Sequence, residues 1–179
     1  MHSGHGDIGG DEASATVYDP PHDVGDFTLT RHTGEPFRLS DLRGRMALLF
    51  FGFTHCPDVC PNTMATFVRV KDALGEQTEA VAFVFISVDR ARDTPEVLAA
   101  YLDQFDPGFI GLTGDEADLR RIGEDYDLYF ARRASGGSGD DYMVDHTAAS
   151  FLLDQEGRLV MAFPYGTRAE DIAGAIAAR

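Results

Sequence analysis

The sequence predicts a three-layer α/β domain, and three observations carry that prediction. Met46–Phe51 is a continuous apolar run bounded by polar residues, and Val81–Val88 is apolar except at Ser87, as expected of two central strands buried on both faces. Between them, Met64, Phe67, Val68, Val70, Ala73 and Leu74 recur with a helical rhythm that Gly75 ends. Beyond the second run, helical segments alternate with short apolar ones, and the chain closes on a hairpin and a helix. Strand, helix and strand in that order give a sheet covered by helices.

Residues 1–25 hold several glycines, Pro20, Pro21, His2 and His5, no Lys or Arg, and no period. They read as a disordered leader ahead of a domain over 26–179, and they lack the basic start and apolar centre of a secretory signal. Phe27–Thr30 and Phe37–Leu39 alternate around Thr33-Gly34-Glu35-Pro36, which predicts an N-terminal β-hairpin. Thr94 caps a helix starting at Pro95, with Val97, Leu98, Tyr101, Leu102 and Phe105 on its apolar face and Glu96 in its first turn. Phe109–Leu112 is short and apolar, a helix follows from Asp115, and Leu128–Phe130 reads as a strand. Ala134–Asp141 is a Gly/Ser-rich loop. Ala149–Leu153 and Leu159–Phe163 form a C-terminal hairpin, and Ala169–Ala178 a closing helix.

The chain has 179 residues, 30 acidic against 15 basic side chains and a formal net charge of -15. A core of this size buries about 70% of the surface its unfolded chain exposes, so folding needs no disulfide framework. The acidic balance excludes nucleic acid and disfavours an anionic membrane surface. The longest apolar stretch, Met46–Phe53, falls well short of the roughly 18 residues of a membrane span. Two cysteines are left to explain.

Both lie in Phe53-Thr54-His55-Cys56-Pro57-Asp58-Val59-Cys60-Pro61, directly after the first apolar run. Pro61 fits the first turn of a helix, so the helix starts near Val59 to Pro61, with Cys56 on the preceding loop and Cys60 at the helix start. The positive end of a helix lowers a thiol's pKa, and the thiolate is both nucleophile and metal ligand. A structural disulfide or inert thiols are the alternative, yet closing so short a loop stabilises little, and ligands collect at the carboxyl ends of such strands. His146, in Tyr142-Met143-Val144-Asp145-His146-Thr147, is the imidazole that would complete a soft donor set. Two thiolates and one imidazole suit Cu(I) and, with added ligands, Cu(II), whereas Zn wants a fourth ligand. His55 should point away from Cys56 toward an outer position. Asp58 either tunes the thiolates or simply follows the preference for acids near helix starts.

The stretch Gly52-Phe53-Thr54-His55-Cys56-Pro57-Asp58-Val59-Cys60-Pro61 resembles the signature of the Sco (SenC) family, the thioredoxin-fold copper proteins of cytochrome c oxidase assembly. Phe85-Ile86-Ser87-Val88-Asp89 with Arg92-Asp93-Thr94-Pro95-Glu96, then Ile110-Gly111-Leu112-Thr113-Gly114, then Val144-Asp145-His146-Thr147 resemble its further blocks in the same order, across residues 24–178. The resemblance implies a thioredoxin-like fold with copper, as Cu(I) and Cu(II), held by Cys56, Cys60 and His146. It implies a copper metallochaperone that serves the dinuclear copper centre of oxidase subunit II or another copper protein. Alternatively, Cys56 and Cys60 act as the redox pair of a thiol-disulfide oxidoreductase that reduces the cysteines of that centre. Asp89 matches a family aspartate near the metal, and Arg90 stands where members commonly have Pro. The resemblance implies an extracytoplasmic or periplasmic setting, usually with a membrane anchor; none is read in this sequence, so the expectation is a soluble portion or a variant lacking the anchor.

Overall fold

A computed structural model of the chain describes residues 15–56, 59–126 and 149–179. Eight strands form one sheet: β1 (Thr16–His22), β2 (Thr28–Arg31), β3 (Pro36–Arg38), β4 (Met46–Gly52), β5 (Val81–Ser87), β6 (Ile110–Thr113), β7 (Ser150–Leu153) and β8 (Leu159–Phe163), in the order β1-β8-β7-β4-β5-β6-β2-β3. Four helices accompany them among the described residues: α1 (Val59–Leu74), α2 (Pro95–Asp103), α3 (Glu116–Glu124) and α4 (Ala169–Ala177).

Strands β4 and β5 are the two apolar runs, and every residue of both is buried. Their alternation divides the core in two. Met46, Leu48 and Phe50 with Val81, Phe83 and Phe85 pack against α1, α2 and α4 through Phe67, Val70, Leu98, Leu102 and Ile172. Ala47, Leu49 and Phe51 with Ala82, Val84 and Ile86 face the other way, toward Leu119 and Ile122 of α3 and toward Leu39 and Leu42. This is the three-layer arrangement that period-two side-chain alternation requires of a sheet buried on both faces.

Register then sets the site. β4 and β5 run parallel, from Met46 opposite Val81 to Gly52 opposite Ser87, so both strands end at one level. β7 is antiparallel to β4, with Ser150 opposite Phe50, and so enters the sheet at that same end. The predicted hairpins are present as β2–β3 and β7–β8. The Thr94 cap is also present, its hydroxyl accepting the Val97 N–H at 3.2 Å. The expected strand Leu128–Phe130 and loop Ala134–Asp141 lie outside the described residues.

Residues 16–22 depart from the expected disordered leader: β1 pairs antiparallel with β8, Thr16 opposite Ala162 and Val17 opposite Met161. Its sequence, Thr-Val-Tyr-Asp-Pro-Pro-His, has two prolines, which an edge strand tolerates because its outer N–H groups are unpaired anyway. Most of the strand is exposed, so no alternation announces it. Tyr18 and, beyond the strand, Val24 rest on the core. Deleting residues 1–22 should leave a folded chain that is less stable by about 1–2 kcal/mol, the worth of one partly buried aromatic and an edge ladder. Urea unfolding of the full and shortened chains checks this, and equal midpoints would refute it.

Candidate metal site

At the end of β4 the chain turns sharply: the Cys56 N–H donates to the Phe53 carbonyl at 3.2 Å, and α1 begins at Val59. Cys60 occupies the first turn of α1, as the position of Pro61 predicts. Its backbone N–H donates to Cys56 Sγ at 3.3 Å, so one of the unpaired amides of the helix start is satisfied by sulfur. Both cysteines are free thiols; Cys60 is fully buried and Cys56 half-buried.

Gly52 makes this approach possible. A Cβ on Gly52 would stand 2.7 Å from Cys60 Sγ and 2.7 Å from the Phe50 ring, closer than any real methyl group sits. The last residue of the strand has no side chain because the sulfur takes its place.

Burial pushes the Cys60 thiol well above its ordinary pKa, and the neighbouring Cys56 adds to the rise. This corrects the expectation that the helix start lowers it. Desolvation of a fully buried thiolate outweighs the partial positive charge of one helix terminus. A bound cation is the kind of partner that would reverse the balance, because a coordinated thiol gives up its proton.

The loop carrying Cys56 is fixed from behind by Asp93, which is buried completely. Its carboxylate accepts the Thr54 N–H at 2.9 Å, the Thr54 hydroxyl at 2.6 Å and the Ser87 hydroxyl at 2.7 Å. Ser87 in turn accepts the Asp89 N–H at 3.1 Å. Three segments meet here: the turn after β4, the end of β5 and the residue before the α2 cap. Sequence reasoning missed Asp93, Thr54 and Ser87 as working residues. All three stood inside the quoted motif blocks, but nothing in the sequence shows three donors converging on one carboxylate.

Asp89 is buried and ion-paired with Arg92 Nε at 2.6 Å. Arg90 reaches Asp115 at 2.7 Å, an exposed pair of little energetic weight. His55 is exposed, as expected, and its ring lies beside Asp89 and Asp93, with one ligand atom of each within 4.8 Å of the others. Asp93 already accepts three hydrogen bonds and Asp89 holds Arg92, so these carboxylates serve the fold of the rim rather than a second ion. The structure thus brings Cys56 and Cys60 together and sets Asp89 close by. His146 and Asp58 lie outside the described residues.

The architecture is that of a thioredoxin-like α/β protein with a thiol pair where the first central strand passes into a helix. Its sequence matches the SCO1/SenC family over residues 16–179, and the chain belongs to that family. It is 37% identical over 148 residues to an SCO2-like protein of Rickettsia prowazekii, covering 83% of this chain and 72% of that protein. It is also 37% identical over 155 residues to the mitochondrial SCO1 homolog of Homo sapiens, covering 86% of this chain and 51% of that protein. Among solved structures, copper-bound ScoI of Bradyrhizobium japonicum superposes with a TM-score of 0.77 at 38% identity, over 87% of this chain and 98% of that one. Apo Sco1 of Thermus thermophilus gives 0.82 at 36% identity, over 94% and 99%.

Gly52→Ala tests the close approach. The added methyl must displace either the sulfur or the Phe50 ring, which costs about 1–3 kcal/mol by overpacking. The expected result is a lower unfolding midpoint together with faster alkylation of Cys60. A midpoint and an alkylation rate equal to wild type would refute it.

Proposed function

We propose that this chain is a copper metallochaperone of cytochrome c oxidase assembly, in which Cys56, Cys60 and His146 hold the ion that is passed on. The observation that carries the reading is the pairing of the two free thiols at the start of α1, with the Cys60 N–H on Cys56 Sγ. Family membership and the copper-bound ScoI relative support the choice of metal. The donor chemistry agrees: two sulfurs and an imidazole are soft ligands in low number, which suits Cu(I) and leaves room for a partner's ligand. His146 precedes Ser150 by four residues, and Ser150 enters the sheet opposite Phe50 at the site's end of β4. Four residues span up to about 14 Å, and this short separation from the sheet supports the choice of His146 as the third ligand.

Copper is cargo here, so the site has to release it. Cys60 lies under the loop and Cys56 at its half-open edge, an arrangement in which Cys56 is the first sulfur an incoming thiolate meets. Transfer then proceeds by ligand exchange, one protein sulfur at a time, to the copper centre of oxidase subunit II or of another copper protein. The net charge of -15 draws a cation toward the domain and keeps nucleic acid away. No helix among the described residues is long and apolar enough to cross a membrane. An extracytoplasmic setting is part of the same proposal.

Anaerobic Cu(I) titration of the reduced chain against a competing chelator should give one tightly bound ion. Cys56→Ser and Cys60→Ser should each weaken it by at least a hundredfold, and His146→Ala by about tenfold or more. Undiminished affinity in all three variants would refute the reading.

The asymmetry of the thiols also favours a second role, reduction of a partner disulfide. In that reaction Cys56 attacks, Cys60 resolves the mixed disulfide, and two electrons and two protons pass to the partner as the Cys56–Cys60 disulfide forms. Equal rates for wild type and His146→Ala in reducing an oxidised dicysteine peptide would identify the reductase as the main activity. A marked loss in the variant would assign the pair to copper.

A further inference from the structure

Tyr101 lies on α2, and its ring packs on Phe85, 5.6 Å between centroids, and on Phe105 at 5.4 Å. The Phe85 ring edge stands 3.2 Å from the point where a Gly52 Cβ would be, and Cys60 Sγ stands 2.7 Å from that same point. The phenol is therefore stacked on the ring that borders the buried sulfur. Its hydroxyl is inaccessible to solvent and has no hydrogen-bond partner among the described residues. A tyrosine used only for packing has no need of that oxygen, and a buried hydroxyl without a partner is a standing cost.

Tyr101 packs against the same apolar cluster as Cys56 and Cys60, and burial raises the pKa of its hydroxyl, with Cys60, Cys56 and Asp93, in that order, adding to the rise. Asp93 is already taken by Thr54 and Ser87. The sulfurs remain. A neutral thiol is a poor acceptor, but a thiolate, free or bound to a metal, is a good one.

We infer that the Tyr101 hydroxyl donates a hydrogen bond to a sulfur of the Cys56–Cys60 pair once that sulfur is a thiolate or a copper ligand. The inference rests on the proposed role of this pair as copper ligands. Tyr101 is then a positioning residue that sets the balance between the two copper states. A donor on a ligand sulfur draws electron density from it, which weakens Cu(II) binding more than Cu(I) binding.

The test compares the full chain with Tyr101→Phe, which removes only the orphan oxygen. The Cu(I) and Cu(II) affinities are measured by chelator competition, the Cu(II)–thiolate charge-transfer band by absorption, and the metal-free dithiol–disulfide equilibrium against glutathione. The variant should lose about tenfold in the ratio of Cu(I) to Cu(II) affinity, equal to 59 mV at one electron. Its charge-transfer band should move to lower energy, and its thermal midpoint should be unchanged or higher. An unchanged ratio and an unchanged band overturn the inference. If the wild-type chain itself binds no copper, the copper reading falls, and the hydroxyl is judged on the glutathione equilibrium alone, measured at about pH 10, where an ordinary thiol of pKa about 8.5 is a thiolate and so an acceptor. A several-fold shift toward disulfide in Tyr101→Phe upholds its bond to sulfur, and no shift overturns it.

Discussion

Three hydrogen bonds to one buried carboxylate hold the working end of this domain together. Asp93 sits without solvent contact between the turn after β4, the end of β5 and the start of α2, and it takes a donor from Thr54 twice and from Ser87 once. A buried anion is tolerated only when such donors replace its lost hydration, and the positive end of α2 directly after it contributes to the same end. Because each donor belongs to a different stretch of chain from the acceptor, the carboxylate fixes their relative positions. The loop that carries Cys56 therefore has a rigid floor even though it is short and surface-facing.

On that floor the two cysteines differ in kind. Cys60 belongs to the core: it packs with Phe50, Phe67 and Phe85 on the helical face of the sheet, in the space that Gly52 leaves open. Cys56 belongs to the edge, half-buried and accepting the Cys60 N–H. Burial keeps Cys60 protonated well beyond the ordinary thiol range, so its deprotonation is coupled to the arrival of something that stabilises the thiolate. A site of this sort is quiet when empty of charge and responsive to a soft cation or an attacked disulfide. The Tyr101 hydroxyl, buried without a partner among the described residues on a side chain that packs on the cluster holding both sulfurs, is in keeping with such a conditional site.

Much of the fold is legible in the residue pattern. The apolar runs became β4 and β5, and the capping threonine and following proline became the start of α2. The two predicted hairpins are present as β2–β3 and β7–β8. Strand β1 was not legible, because an exposed edge strand is held by backbone bonds that leave no trace in side-chain pattern, and its prolines read as loop. In the site, the cysteines announced themselves by their prolines and spacing. Asp93 passed as the residue before a helix cap, and Tyr101 as one member of an apolar helical face.

The three layers, the thiol-bearing motif at a strand-to-helix turn and the acidic surface follow from the residues alone, because each is written in local period, local turn chemistry or simple charge. Packing in three dimensions sets which thiol is buried, that Gly52 must lack a side chain, that Asp93 braces the Cys56 loop and that Tyr101 packs on the cluster holding the sulfurs. Those facts depend on distances between segments far apart in the chain, and burial, which no local pattern encodes, reversed the expected shift of Cys60.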